Sequence, residues 1–406
     1  MKTTKKLMFY WRTQNVLSRI RLAFSPLIPA FIQDLHTHTI AFISNILRPT
    51  NVHKDVKSIA VKWGIVKNNN QNNNFPDSLT VHSSQISQEK PIIFASYCGS
   101  ADFRGNLKFC GGTKELNYLV KLLRERGYEA YFVTYDGTYE PWLLDHQAHI
   151  SLDKFREIVK QNDNIRCVTS LATATAFIQA SPSLYFWDME LALTEHDFSV
   201  LAKLYREKIK STAAISRTIQ AWHMAHFQRS CTIIPNLLDT SLWIANPLNR
   251  KKNRIGYMNE GVHTQNFIDT IHDLTQKEKL ELEFYQISGI ESEILGQMQT
   301  CEIFLSMNIG KDPFWGEGCP RTVIESLASG CVVIAFDIIG NRETIQDNFN
   351  GVLVSRYRPD LMAEAIVRVY NSTGEIKRLQ ENAKALIESC HTFDARWPTV
   401  KEFLHL

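Results

Sequence analysis

Short apolar runs bounded by turn residues recur along most of this chain, with amphipathic helical stretches between them. "PIIFAS" (Pro91 to Ser96) opens the series, and "EAYFVTYDG", "RCVTS", "SLYFW", "TAAIS" and "CTIIP" follow. The loop after the first run holds Gly99, Gly105, Gly111 and Gly112. It leads into a helical pattern with Leu116, Leu119, Val120, Leu122 and Leu123 on one side, closed by Gly127. A second series begins at "RIGYM" and continues through a helix around Phe267 to Leu274, then "LEFYQIS", "EIFLS", "CVVIAF" and "GVLV". Amphipathic helices near Pro359 to Tyr370 and Glu375 to Ser389 complete it. Alternating strand and helix argue for parallel sheets covered on both faces. At 406 residues the chain exceeds what one hydrophobic core usually supports. The fold class expected is therefore α/β, with two tandem doubly wound parallel-sheet domains facing a central cleft, where ligands of such sheets bind. The boundaries are an arm and linker over 1–90, a first domain over 91–240, a second over 241–390, and a C-terminal helix over 391–406.

The opening segment differs from the rest. Up to Gln33 it carries Lys2, Lys5, Lys6, Arg12, Arg19 and Arg21, interleaved with Leu7, Phe9, Tyr10, Trp11 and Phe24, and no acid. It lacks the small-residue cleavage site of a secretory signal. Two readings stand: residues 1–33 lie on an anionic membrane surface, or they pack on the main body. "NNNQNNN" (Asn68 to Asn74) and a serine-rich stretch then form a polar linker. No run approaches the roughly 18 to 20 apolar residues of a membrane span.

A net charge of +3 without a basic stripe excludes nucleic acid as the expected partner. The eight cysteines form no Cys-x-x-Cys pair and lie mostly in apolar runs, as reduced, buried thiols of a cytoplasmic protein do. No metal site is read from them.

"EGCPRTVIESLASG" (Glu317 to Gly330) concentrates the chemistry. Pro320 suits the first position of a helix, and Gly330 suits its end. Val323, Ile324 and Leu327 form the buried stripe, and Glu325 falls off it toward the cleft. The helix N-terminus offers free amides and about half a positive charge, which suits a phosphate. Carboxylates accept paired hydroxyl hydrogen bonds, so Glu317 and Glu325 suit sugar or ribose diols. From spacing alone, two solvated acids remain an alternative.

The longer stretch "FWGEGCPRTVIESLASGCVVIAFDIIGNRETI" resembles the donor-site signature of group-1 (family 4) retaining glycosyltransferases with the GT-B fold. Glu317, Glu325, Gly330, Gly340 and Glu343 match in order, and Asn350, Gly351 and Val352 fit the next strand. "GGTKELNYLVKLLRERGYEAYFVTYDG" is similar to that family's first loop, helix and second strand. "AAISRTIQAWHMAHFQRSCTIIPNLLDTSLW" is similar to its interdomain crossing. The resemblance implies that Glu317 contacts hydroxyls of the transferred sugar and Glu325 binds the nucleotide ribose. Gly318, Cys319, Pro320, Arg321 and Thr322 would approach the sugar and diphosphate, and Gly111 and Gly112 would face the donor phosphate across the cleft. It implies a nucleotide-sugar donor, a saccharide or lipid-linked acceptor, and no cofactor or metal, in keeping with the absence of Asp-x-Asp.

Two departures from the family pattern stand out. Its usual Arg and Lys after the first strand of the second domain are replaced by Asn259 and Glu260. Arg321 is the candidate to replace part of that charge, because guanidinium grips phosphate bidentately; an ordinary surface arginine is the alternative. In the first domain, "YFWDME" resembles the Asp-Tyr-Glu form of rhamnan-type polysaccharide transferases, which makes Asp188 a second candidate catalytic residue. A helix-capping aspartate is the competing reading. Two rival functions remain: a nucleotide-sugar-binding scaffold on the same fold, or another GT-B enzyme such as an epimerase or phosphorylase.

Overall fold

In the computed structural model the described residues are 90–96, 110–170, 183–189, 195–261, 263–309 and 318–406, all within one compact unit spanning 83–406. The basic arm, the asparagine-rich linker and Glu317 lie outside the described residues.

The first sheet has seven strands: β1 (Ile92–Ser96), β2 (Ala130–Thr134), β3 (His149–Ser151), β4 (Ile165–Thr169), β5 (Leu184–Asp188), β6 (Ile209–Ala214) and β7 (Thr232–Ile233). They lie in the order β3-β2-β1-β4-β5-β6-β7, every pairing parallel. Helices α1 (Gly111–Glu125), α2 (Leu152–Gln161), α3 (Glu195–Glu207) and α4 (Arg217–Phe227) make crossovers. β1 and β5 are buried along their whole length, which is why they read as continuous apolar runs rather than alternating ones. The edge strand β3 is not announced by the apolar pattern, because its three residues include a histidine and a serine.

The second sheet holds β8 (Arg254–Tyr257), β9 (Glu283–Gln286), β10 (Ile303–Ser306), β11 (Val332–Phe336) and β12 (Val352–Val354), in the order β12-β11-β10-β8-β9, again wholly parallel. Its helices are α5 (Thr264–Lys277), α6 (Glu291–Gln299), α7 (Arg321–Ala328), α8 (Ile339–Arg342), α9 (Pro359–Asn371) and α10 (Glu375–Cys390). The last helix, α11 (Phe393–Leu404), returns to the first sheet. There Phe403 sets its ring 5.9 Å from Tyr185 and 6.4 Å from Trp187. The expected pair of doubly wound domains is therefore present, with the chain end crossing back.

α7 carries the quoted stretch, and its ends follow from local chemistry. Pro320, with φ −63° and ψ 120°, stands one residue ahead of the helix rather than inside it. Val323, Ile324 and Leu327 are buried in the apolar cluster that also holds Phe304 and Val333 of the second sheet, as their spacing requires. Gly330 terminates the helix at φ +82°, a conformation L side chains rarely adopt. Arg250 donates from Nη2 to the Ser329 carbonyl at 2.8 Å and from Nη1 to that of Gly330, satisfying two terminal acceptors. Arg250 thus sits at the opposite end of α7 from the cleft.

Candidate functional site

β1 runs toward α1, and β10 toward α7, so both helices begin at the carboxyl ends of their sheets. The two N-termini meet. A Cβ placed on Gly111 would lie 3.5 Å from Cδ of Arg321. Neither helix has an acid in its first turn, and neither cap residue, Cys110 or Pro320, bonds the first amides through its side chain. Gly112 and Thr322 stand half-buried beside them.

Across this junction runs a buried ion network that the chain pattern did not reveal. Arg321 is 9% exposed, and Glu325, one turn along α7, is 5% exposed. Arg321 Nε donates to Glu325 Oε1 at 3.0 Å, and its Nη1 donates to Glu115 Oε2 and, at 3.1 Å, to the Leu237 carbonyl. Lys114 of α1 reaches Glu325 Oε1 at 2.6 Å and Glu291 Oε1 at 2.7 Å. Adjacent residues of α1 therefore each grip one member of the i,i+4 pair on α7. Glu291 is further held by the Leu144 amide at 2.7 Å and the Tyr118 hydroxyl at 2.9 Å. Trp243 donates from Nε1 to that same hydroxyl at 3.1 Å and lies under the Lys114 ammonium, 4.4 Å from its ring centre.

The electrostatics follow from burial. Glu115 is fully buried, and desolvation pushes its carboxyl up to about 7, against the opposing pull of Arg321. Burial also acts against the charge of Arg321, yet Glu115 and Glu325 hold the guanidinium protonated, above its ordinary value. Burial would raise Glu291, but the Lys114 ammonium holds it below the usual carboxylate range.

Glu115 gives a pH dependence of defined sign. Its carboxyl titrates near 4.5 when unfolded and about 7 when folded, so the folded state binds more protons between those values. Its contribution to stability is complete below about 4.5 and is lost as pH rises through 7. The window corresponds to on the order of 3 kcal/mol. The groups facing it are Arg321, Glu325, Cys319 and Arg396. We expect Tm to fall between pH 5.5 and 8.5 more steeply in the wild type than in Glu115→Gln. Parallel slopes in melting curves would contradict this.

Other contacts draw the two domains together. The Glu343 carboxylate accepts from the Arg217 amide at 3.2 Å and from the amide and hydroxyl of Thr218, each at 3.1 Å, capping α4 from the opposite domain. Asn236 donates to the Cys319 carbonyl at 2.9 Å, and its own carbonyl lies 3.0 Å from Nδ1 of His391, which burial lowers to about 4 and keeps neutral. Burial pushes the Cys319 thiol up to about 12, so it is a packing group and not a nucleophile. Gly318 is tightly packed against the first domain: a Cβ there would meet Ile219 Cδ1 at 2.8 Å and the Met189 carbonyl at 3.1 Å. Gly318→Val is expected to prop the domains apart, read as a larger radius of gyration in solution scattering with the helical content unchanged. An unaltered radius would count against closure at this point.

The remaining sequence candidates are placed as follows. Arg321 faces Glu115 and Glu325 rather than solvent, with its Nη2 left without a hydrogen bond. Asp188 ends β5 at 2% exposure, its Oδ2 accepting from His223 Nε2 at 2.7 Å, while His223 Nδ1 meets the Tyr205 hydroxyl at 2.8 Å. After β8, Asn259 Oδ1 accepts from the Gly261 amide at 3.3 Å, and the Glu260 amide donates to Thr264 at 3.1 Å; no cation follows the strand. Among the described residues no group of acids, histidines and cysteines is arranged to hold a metal, and no helix is long and apolar enough to cross a membrane.

Residues 255–386, most of the second domain, match the family model of glycosyl transferases group 1. No protein of curated function matches the chain by sequence. The fold is similar to that of S. aureus TarM, solved as a mutant with fondaparinux, alpha-GlcNAc-glycerol and UDP, at TM-score 0.50 and 12% identity. That likeness covers 63% of this chain and 58% of TarM. Anabaena HepE, solved with UDP-glucose, aligns at TM-score 0.57 and 16% identity over 78% of this chain and 100% of that one. Sucrose-phosphate synthase from Thermosynechococcus elongatus aligns at TM-score 0.57 and 13% identity over 77% and 98%. With the two parallel sheets, these likenesses establish the GT-B fold.

Proposed function

We propose that this chain is a group 1 glycosyltransferase, moving a sugar from a nucleotide-diphosphate donor to a saccharide or lipid-linked acceptor with retention at the anomeric carbon and without a metal ion. One observation carries the reading. Two uncapped helix N-termini and a cleft-side carboxylate converge at the carboxyl ends of both sheets, within or beside the segment that matches the family model. Glu325 takes the ribose hydroxyls, the amides of Gly111, Gly112, Gly318, Cys319, Arg321 and Thr322, with Pro320 among them, approach the diphosphate, and Glu317 takes hydroxyls of the transferred sugar.

The acceptor oxygen attacks C1 from the face that the diphosphate leaves. As the C1–O bond to acceptor forms, the C1–O bond to phosphate breaks with its electron pair. The acceptor proton passes to the departing phosphate oxygen. No protein nucleophile is needed, and rate comes from positioning and from charge stabilisation at the leaving group. Asp188, held by His223, is the residue of the first domain proposed to orient a sugar. Such lipid-linked acceptors sit at the cytoplasmic face of a membrane, where the basic arm over 1–33 would hold the chain.

The replacement of the usual cations by Asn259 and Glu260 favours one alternative, a nucleotide-sugar-binding scaffold without turnover. Release of nucleoside diphosphate from a donor that binds separates the two, and NMR of the product anomer tests retention. Glu317→Ala is expected to lower turnover by about 100- to 1,000-fold, the scale of one lost transition-state contact, with little change in donor affinity. Unchanged turnover would remove Glu317 from the catalytic site.

A further inference from the structure

Glu325 has an asymmetry that its proposed role does not require. Its hydrogen bonds from Lys114 at 2.6 Å and from Arg321 at 3.0 Å both fall on Oε1, and among the described residues none reaches Oε2. One cation comes from its own helix. The other comes from the opposite domain, 211 residues away in sequence.

Lys114 is itself fixed in place. Its ammonium is held against Glu291 at 2.7 Å and over the Trp243 ring at 4.4 Å. Glu291 is anchored by the Leu144 amide and Tyr118, and Trp243 by Tyr118. An ammonium on a flexible stem would otherwise sample many rotamers; here Glu325, Glu291 and Trp243 select one. A carboxylate pinned through one oxygen by two cations presents its other oxygen in a fixed direction, still able to accept hydroxyl hydrogen bonds.

We propose that Lys114 is a positioning residue for ribose recognition. It orients Glu325 from across the cleft, so that Oε2 meets the ribose diol of a nucleoside diphosphate only when the domains are closed. The inference rests on the reading of Glu325 as the ribose ligand. It adds that the grip on the nucleotide is assembled by both domains, and that Glu291, Tyr118 and Trp243 serve it by holding Lys114.

The test is a comparison of ligands rather than of stability. UDP, GDP and ADP, each beside its 2′,3′-dideoxy form, are titrated calorimetrically into the wild type, Lys114→Met, and the pair Lys114→Met/Glu291→Gln. The paired variant leaves no unpaired charge at Glu291 and guards against a fold defect. The wild type is expected to prefer the diol form by about ten- to a hundredfold for the nucleotide it accepts, the scale of hydrogen bonds to a charged group. Both variants should lose that preference while still binding the dideoxy form as the wild type does. A purely structural Lys114 would weaken both forms alike and leave the ratio intact. A variant that keeps the wild-type ratio overturns the inference and leaves the function standing. A wild type that binds none of the three, or shows no diol preference, overturns the reading of Glu325 and the inference with it.

Discussion

Arg321→Met is expected to lower stability by about 3–5 kcal/mol, the cost of removing one partner from a buried charge pair. The guanidinium faces Glu115, which is fully buried, and Glu325, which is 5% exposed. Three carboxylates (Glu115, Glu291 and Glu325) share two cations (Lys114 and Arg321), so without Arg321 a single ammonium would serve all three. At about 2–4 °C per kcal/mol for domains of this size, Tm should fall by roughly 10 °C. Arg321→Lys should recover part of the loss, since it restores charge without the two-pronged donor geometry. A shift of a degree or less in the Met variant would mean that the network is not formed in solution.

Glu325→Ala is expected to act differently. Its removal leaves Lys114 with Glu291 and Arg321 with Glu115, two cations against two carboxylates, so the charges balance. Stability should therefore fall by less than for Arg321→Met, although Glu325 is the more deeply buried of the two. Nucleotide binding should suffer most: losing the acceptor for a ribose diol is expected to weaken nucleoside diphosphate affinity by about ten- to a hundredfold, or 1.5–3 kcal/mol. Calorimetric titration measures it. A large loss of stability with unaltered nucleotide affinity would make Glu325 a structural partner of Arg321 and nothing more.

The architecture was legible because strand positions are set locally. "CVVIAF" and "PIIFAS" bury every residue of their strands, as continuous apolar runs must to leave water. The bounds of α7 were legible to within one residue, since Pro320 and Gly330 act through backbone dihedrals alone. What joins the domains was not. Lys114 and Glu115 follow two glycines and look like an ordinary solvated first turn. Their partners lie 211 and 206 residues on, and nothing in local spacing reports them. The one available sign was that Lys-Glu on α1 complements Arg and Glu at i,i+4 on α7. Asp188 shows the same limit. The sequence offered helix capping or sugar orientation, and the observed partner, His223, is contributed by α4, 35 residues later. Glu343 was recognisable as part of a turn motif, while its capping of α4 depends on how two sheets dock.

The most direct measurement is a thermal-shift series of the purified protein against UDP-, GDP-, ADP- and dTDP-sugars without added metal. Ligand at about 100 times Kd adds roughly 2.7 kcal/mol of apparent stability. The account predicts a selective rise with the sugars of one nucleotide, cut to about half or less in Glu325→Ala. No rise with any of them would contradict a donor site between the two helix N-termini, and Glu260, the acid standing where a cation is expected, would be the first residue to replace.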